Sequence, residues 1–200
     1  MRLTCLIALI MLAACGQTQT EVRPQPQPQP IPAFQPTASI QELMQSIVDP
    51  SADAVWEAVS SETGPNGIEE HQPRTDAEWS AVRRHALTLA EAGNLLLVEN
   101  RAVSHGGAAL EDAHVPGILN AREVRQAIDA DRGAFAAHAL ALHAAAGDAL
   151  VAIDARDAGR LLVAGERIDA ACEACHVRYW YPNAEQPRWP APINKEQARK

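Results

Sequence analysis

DAACEACHVRYW, residues Asp169 to Trp180, sets two cysteines two residues apart and a histidine directly behind the second. Leu161, Ile168, Cys172 and the Cys175/His176 pair follow one another at intervals of seven, four and three or four residues, the spacing of one helical face. Read as a helix, the segment carries Cys172, Cys175 and His176 on the side that also bears its core aliphatics, because positions i, i+3 and i+4 lie together. C-x-x-C-H is the pattern of c-type haem attachment. Each thiol adds to one haem vinyl group to give a thioether, and the adjoining imidazole turns toward the iron, which makes His176 the expected proximal ligand.

Three other readings compete. Structural zinc takes four protein ligands, whereas only three residues sit together here and the other six histidines are scattered. A thioredoxin-like dithiol wants a βαβ setting, and no segment shows the alternation of a strand. Coincidence leaves two stranded thiols to be explained in an oxidising compartment, where free thiols rarely persist.

That compartment is inferred from the opening residues, MRLTCLIALIMLAAC. One early arginine, an apolar run from Leu6 to Leu12 and small residues before a cysteine have the proportions of a secretory signal over residues 1–14. The run is too short to span a membrane as a mature helix. Leu12-Ala13-Ala14-Cys15 resembles a bacterial lipobox, which implies a lipid on Cys15 and a membrane-anchored periplasmic protein; an ordinary cleaved signal is the alternative. Gly16 after the cysteine resembles the pattern sorted to the outer rather than the inner membrane. Cys5 leaves with the signal, so Cys172 and Cys175 are the cysteines left for chemistry.

Residues 15–37 read as the lipidated N-terminus and a disordered Pro/Gln-rich tether. Repeated Gln-Pro holds the backbone near polyproline II, and about 20 such residues reach roughly 60 Å. Residues 38–182 read as an all-α domain and 183–200 as a loose tail. Helix one starts at Ser39, with Glu42 at capping-box distance, and continues through Leu43, Met44, Ile47, Val55, Trp56 and Val59, with Pro50 expected to kink or split it. SETGPNGIEEHQPR reads as a loop. Helix two starts near Thr75, again with a glutamate, Glu78, three residues on, and buries Trp79, Val82, Ala86, Leu89, Gly93 and Leu96. A long connection follows, with breakers at Gly106-Gly107 and Pro116-Gly117. Helix three runs from Val124 to Ile153, and helix four carries the cysteines and stops at Pro182. Four amphipathic helices of this kind predict an antiparallel four-helix bundle.

A bundle with one C-x-x-C-H near the end of its last helix resembles the class II cytochromes c, the cytochrome c′ group. The resemblance rests on CEACHVRYW and, more loosely, on SIQELMQSIVDPSADAVW, and covers about residues 38–182. It implies one covalent haem c between the helices, His176 as proximal ligand and helix one over the distal face. In that family the distal position is either apolar, leaving five-coordinate iron, or a methionine that binds it. This chain offers Leu43 and Met44 side by side, and Met44 is the one methionine outside the signal. Met44 is the expected distal ligand, against the bland reading of methionine as core filler; His85, His138 and His143 are the further candidates. Pairing of two copies also occurs in the family.

A Met/His pair raises the reduction potential and closes the iron, so the expected function is electron transfer rather than enzyme catalysis. A five-coordinate haem protein that binds a small gas such as nitric oxide is the first alternative; a scaffold lipoprotein with a local Cys172–Cys175 disulfide is the second. A net charge of −8 argues against nucleic acid, which wants a basic face, and fits a redox partner with a basic docking patch. Trp56 and Trp79 are expected in the core or haem pocket, Tyr179 and Trp180 at the haem edge or merely packed at the helix end, and Arg178 beside a propionate or in solvent. Glu91 and Asn94 are assigned no work.

Overall fold

Two capping boxes that are legible in the sequence launch the first two helical arms of the computed structural model, which describes residues 34–65 and 67–183. The readings of the signal over 1–14, of a lipid on Cys15, of the tether up to residue 33 and of the tail from residue 184 onward lie outside the described residues. Ser39 caps α1 (Ile40–Leu43), with Glu42 N–H donating to Ser39 Oγ at 3.2 Å and Ser39 N–H to Glu42 Oε2 at 2.7 Å. Thr75 and Glu78 do the same for α3 (Asp76–Leu96) at 3.2 and 2.8 Å.

Between these arms the outcome differs from expectation. The first arm is divided just ahead of Pro50 rather than at it. The chain passes through a π-helical stretch, Met44–Val48, and resumes as α2 (Asp49–Glu57). The stretch expected as a loop contains an antiparallel hairpin, β1 (Ser60–Gly64) with β2 (Gly67–His71), closing where Gly64 faces Gly67. Gly67 sits at φ 115°, a conformation that favours glycine. All of β2 is exposed, so no alternation of apolar residues announces these strands; backbone pairing alone forms them.

The third arm is two helices, α4 (Ala121–Ala130) and α5 (Arg132–Asp154). Asp131 breaks it by leaving helical geometry, at φ −150°, ψ 75°, and capping α5 through Ala134 N–H at 2.9 Å. Short polar side chains compete for backbone donors in this way. Asn120 and Glu123 form a third capping box, at the head of α4. The last arm, α6 (Ala158–Tyr179), is capped by Asp157.

Side-chain pairs fix the directions. Arg156–Asp76 (2.6 Å), Arg83–Asp154 (2.8 Å) and the His143 Nδ1 bond to the Ala90 carbonyl (2.9 Å) advance along α3 while retreating along α5, so these helices are antiparallel. Arg167–Asp148 (2.6 Å) and Arg178–Asp131 (3.0 Å) set α6 antiparallel to α5. The described chain is thus mostly helical, with one small sheet. One core cluster is alanine-rich, with Ala86, Ala146, Ala149 and Ala152 around Val55, Leu89, Leu161 and Ile168. The second gathers Leu43, Leu96, Val103, Val124, Ile128, Phe135 and Tyr179.

Alanine and glycine let the backbones approach. A Cβ on Gly93 would stand 2.8 Å from the Ala139 carbonyl oxygen and 3.0 Å from His143 Cβ. Neither neighbour is a flexible side-chain tip, so Gly93→Ala is expected to destabilise the fold by about 1–3 kcal/mol, the usual range for overpacking, as measured by urea unfolding. An unchanged midpoint would mean that α3 and α5 have room to separate.

Candidate cofactor site

Pro50 has no N–H, and its ring crowds the carbonyl four residues back, that of Ser46. The helix accommodates this by widening one turn, with the Asp49 N–H bonded to the Met44 carbonyl five residues earlier. Single π turns of this kind are frequent at functional sites. The turn begins at Met44, next to Leu43, and the two candidates of the first arm lie in different surroundings. Leu43 is 2% exposed within the second core cluster, whereas Met44 lines a cleft.

That cleft holds about 790 Å³, counting the space at its mouth, and an adjoining lobe holds about 350 Å³. The walls of the larger part are mainly apolar, among them Ile40, Leu96, Val103, Leu110, Val124 and Ile128. Met44, Leu96, Phe135, Cys175 and His176 line both parts. The smaller lobe adds Cys172 and His138, so Cys172, Cys175, His176 and Met44 meet at one cavity.

The end of α6 holds the imidazole. The His176 carbonyl accepts from the N–H groups of Trp180 (2.8 Å) and Tyr181 (3.0 Å), which closes the helix ahead of Pro182. Trp180 stands edge-on to the His176 ring, with centroids 5.1 Å apart at 85°. The Tyr181 hydroxyl donates to Glu173.

The long connection, left unassigned by its sequence pattern, supplies a wall. Ala102 and Val103 accept from the N–H groups of Ile40 (2.8 Å) and Gln41 (3.0 Å), satisfying donors at the head of α1. Gln41 Nε2 donates to Ala109 (3.1 Å), Trp180 Nε1 to Glu111 (3.3 Å) and Leu119 N–H to Trp180 (2.8 Å). Val103, Leu110 and Glu111 are thereby brought to the cleft. No helical period marks them, which is why sequence reasoning missed them.

The other candidates divide between the cavity, where His138 lines the smaller lobe, and the rest of the fold. Trp79 belongs to the alanine-rich core, and Trp56 donates its indole N–H to the Gly165 carbonyl at 3.0 Å, away from the cleft. Tyr179 and Trp180 both line the cleft. Arg178 pairs with Asp131 at 3.0 Å. His143 is held by Ala90, His138 packs edge-on against Tyr179, and His85 is absent from the linings of both parts. Glu91 and Asn94 bond each other at 3.2 Å on the surface.

The local electrostatics disfavour charge on sulfur and on the imidazole. Burial, with Asp169 and Asp49 adding to it, pushes the Cys172 thiol up to about 11. Burial, with Cys172 adding to it, pushes Cys175 up to about 12. Burial lowers His176 against the opposing pull of Glu173, keeping the ring neutral and its lone pair free for a metal. At the rim, burial, then Glu111 and Asp53, raises Asp49. Among the described residues, no three His, Cys, Asp or Glu side chains converge on a point where they could hold a metal ion; the two thiols, both free, and the imidazole instead border a cavity.

Comparison with family models, with curated proteins and with solved structures finds no match to this chain. The functional reading therefore rests on its own residues.

With the Cys172 thiol moved from 9.0 to about 11, the thiolate fraction at pH 8 falls by about 100-fold. Peptide mass spectrometry after alkylation of the unloaded chain should show Cys172 and Cys175 reacting more slowly than in urea by about that factor or more. The unfolded thiols ionise first, so stability is full below about pH 9 and declines as pH rises toward the folded values near 11 and 12.

Proposed function

We propose that the chain is an exported, lipid-anchored monohaem c-type cytochrome that transfers electrons. The observation that carries this is the meeting of Cys172, Cys175, His176 and Met44 at one cavity. The residues present fit the group: two thiols at i and i+3 for its vinyl carbons, a neutral imidazole and a thioether from a second arm, and apolar walls around a flat hydrophobic body. Cys172 and Cys175 would anchor haem c, His176 would be the proximal ligand and Met44 the distal one. Bound there, the group supplies a one-electron iron couple.

The protein's own part is positioning and exclusion. Trp180 packs edge-on against the imidazole, and the two bonds to the His176 carbonyl hold the backbone that carries it. Met44, presented by the π turn, would offer its thioether to the iron, and the aliphatic walls would limit the water around it. We read the paired antiparallel arms as the four-helix bundle of the cytochrome c′ group, with the α1–π–α2 arm as its first helix. Asp49 and Glu111 at the cleft mouth and the net charge of −8 support a redox partner with a basic patch. Residues 1–14 and Cys15 support periplasmic export and a membrane anchor, with the outer membrane favoured by Gly16.

Production with a competent haem-maturation system tests this. The mature chain should show a Soret band and the added mass of one covalent haem, both lost in Cys172→Ala/Cys175→Ala. A ferric far-red band of sulfur–iron ligation should be present and disappear in Met44→Ala, which should then bind carbon monoxide. A wild-type high-spin spectrum that shifts with nitric oxide would assign gas binding instead. Absence of a Soret band would eliminate both and leave the scaffold reading.

A further inference from the structure

Among the described residues, three buried side-chain polar atoms have no hydrogen-bond partner, and they belong to two residues. Two are Nε and Nη2 of Arg125, yet Nη2 lies 3.0 Å from Asp129 Oδ1, so that guanidinium has an ion-pair partner even where hydrogen-bond alignment fails. The third is the hydroxyl of Tyr179, which has none.

Tyr179 is 4% exposed and lines the larger part of the cleft. Its ring is held edge-on by Phe135 (centroids 5.3 Å, 87°) and by His138 (5.8 Å, 86°). Arg178 lies over the ring with Cζ 5.5 Å from its centroid, but its guanidinium donates to Asp131. The phenol is thus fixed in place beside a cavity without an acceptor from the protein. Gln41, Gln45, Asp49 and Glu111 are polar residues of that lining, and none bonds it. A buried hydroxyl left unpaired costs its full desolvation penalty, and such groups in folded proteins ordinarily have a partner that has not yet been named. A cavity occupant is the available source.

We infer that Tyr179 is a positioning residue whose hydroxyl donates a hydrogen bond to a carboxylate carried by the occupant of the cleft. This rests on the haem reading, under which the acceptor is a propionate: an ionised carboxylate accepts and cannot donate, and a bond to it is charge-assisted. With the group bound, this bond would hold its carboxylate in place and would draw off part of the carboxylate's negative charge.

The test is Tyr179→Phe in the haem-loaded protein, since phenylalanine keeps the ring and its edge contacts. Haem mass and visible bands should match wild type, while the reduction potential falls, because an unbonded propionate presents more negative charge and favours ferric iron. The pH at which the potential steps with propionate ionisation should rise. Independently, the redox-difference infrared band of the propionate carboxylate should shift between wild type and variant. An unchanged potential, pH step and infrared band at full haem loading would overturn the inference and leave the cytochrome reading intact. A wild-type chain that takes up no haem would overturn the cytochrome reading itself.

Discussion

Backbone contact between Gly93 of α3 and the Ala139 carbonyl of α5 sets the distance on which the cleft depends. Leu96 lies one turn beyond Gly93, and Phe135 one turn before Ala139, and both line the two parts of the cavity. Any separation of the helices at Gly93 therefore widens the walls that Leu96 and Phe135 present. The His143 bond to Ala90, one turn further along, locks the register of the same pair. Alanine at 145, 146, 149 and 152 continues close packing toward the far end of α5, so the cavity opens only where larger side chains gather.

Two irregular features then finish the site. The π turn forced by Pro50 rephases the first arm, so that Leu43 and Val48 stay buried while Met44 reaches the cleft. The connection between α3 and α4 has no regular structure of its own, yet it is bonded to the head of α1 and to the end of α6. One segment thus serves as both cap and wall. Arg101 belongs to the same arrangement: it is buried and donates from Nε to the Leu95 carbonyl at 3.2 Å and from Nη1 to that of Ala38. Burial lowers the pKa of its guanidinium, which is the expected sign for a cation taken out of water.

Helices α3 and α6 were legible in the sequence because their buried residues recur at helical spacing, and the start of α3 is also marked by the Thr75 cap. The break at Asp131 was not. The buried stripe runs on at helical spacing from Val124 and Ile128 in α4 to Phe135, Ala139, Leu142, Ala146 and Ile153 in α5, so no lapse in period marked the break and the Asp131 cap was the only signal. The hairpin was hidden for the opposite reason, since β2 buries nothing. At the site, Cys172, Cys175 and His176 could be named from the motif and Met44 from its place in the first arm, whereas the π turn that carries Met44 to the cleft was not legible. Val103 and Leu110 reach the cleft through backbone bonds that no side-chain pattern encodes.

The protonation states at the cavity also weigh between the chemistries that C-x-x-C-H can serve. A metal thiolate or an attacking dithiol needs ionised sulfur, and sites built for that surround the thiol with cations or helix N-termini. Here burial acts in the opposite direction, and the charges that act on Cys172 are the carboxylates of Asp169 and Asp49. Such surroundings hold a neutral sulfur at low cost. A thioether is neutral at every pH, so its burial carries no desolvation penalty for charge. The same burial keeps the His176 ring neutral, the form that donates a lone pair to iron. One apolar setting therefore suits both thioether sulfurs and a ligating imidazole, and it works against an attacking dithiol, which needs ionised sulfur.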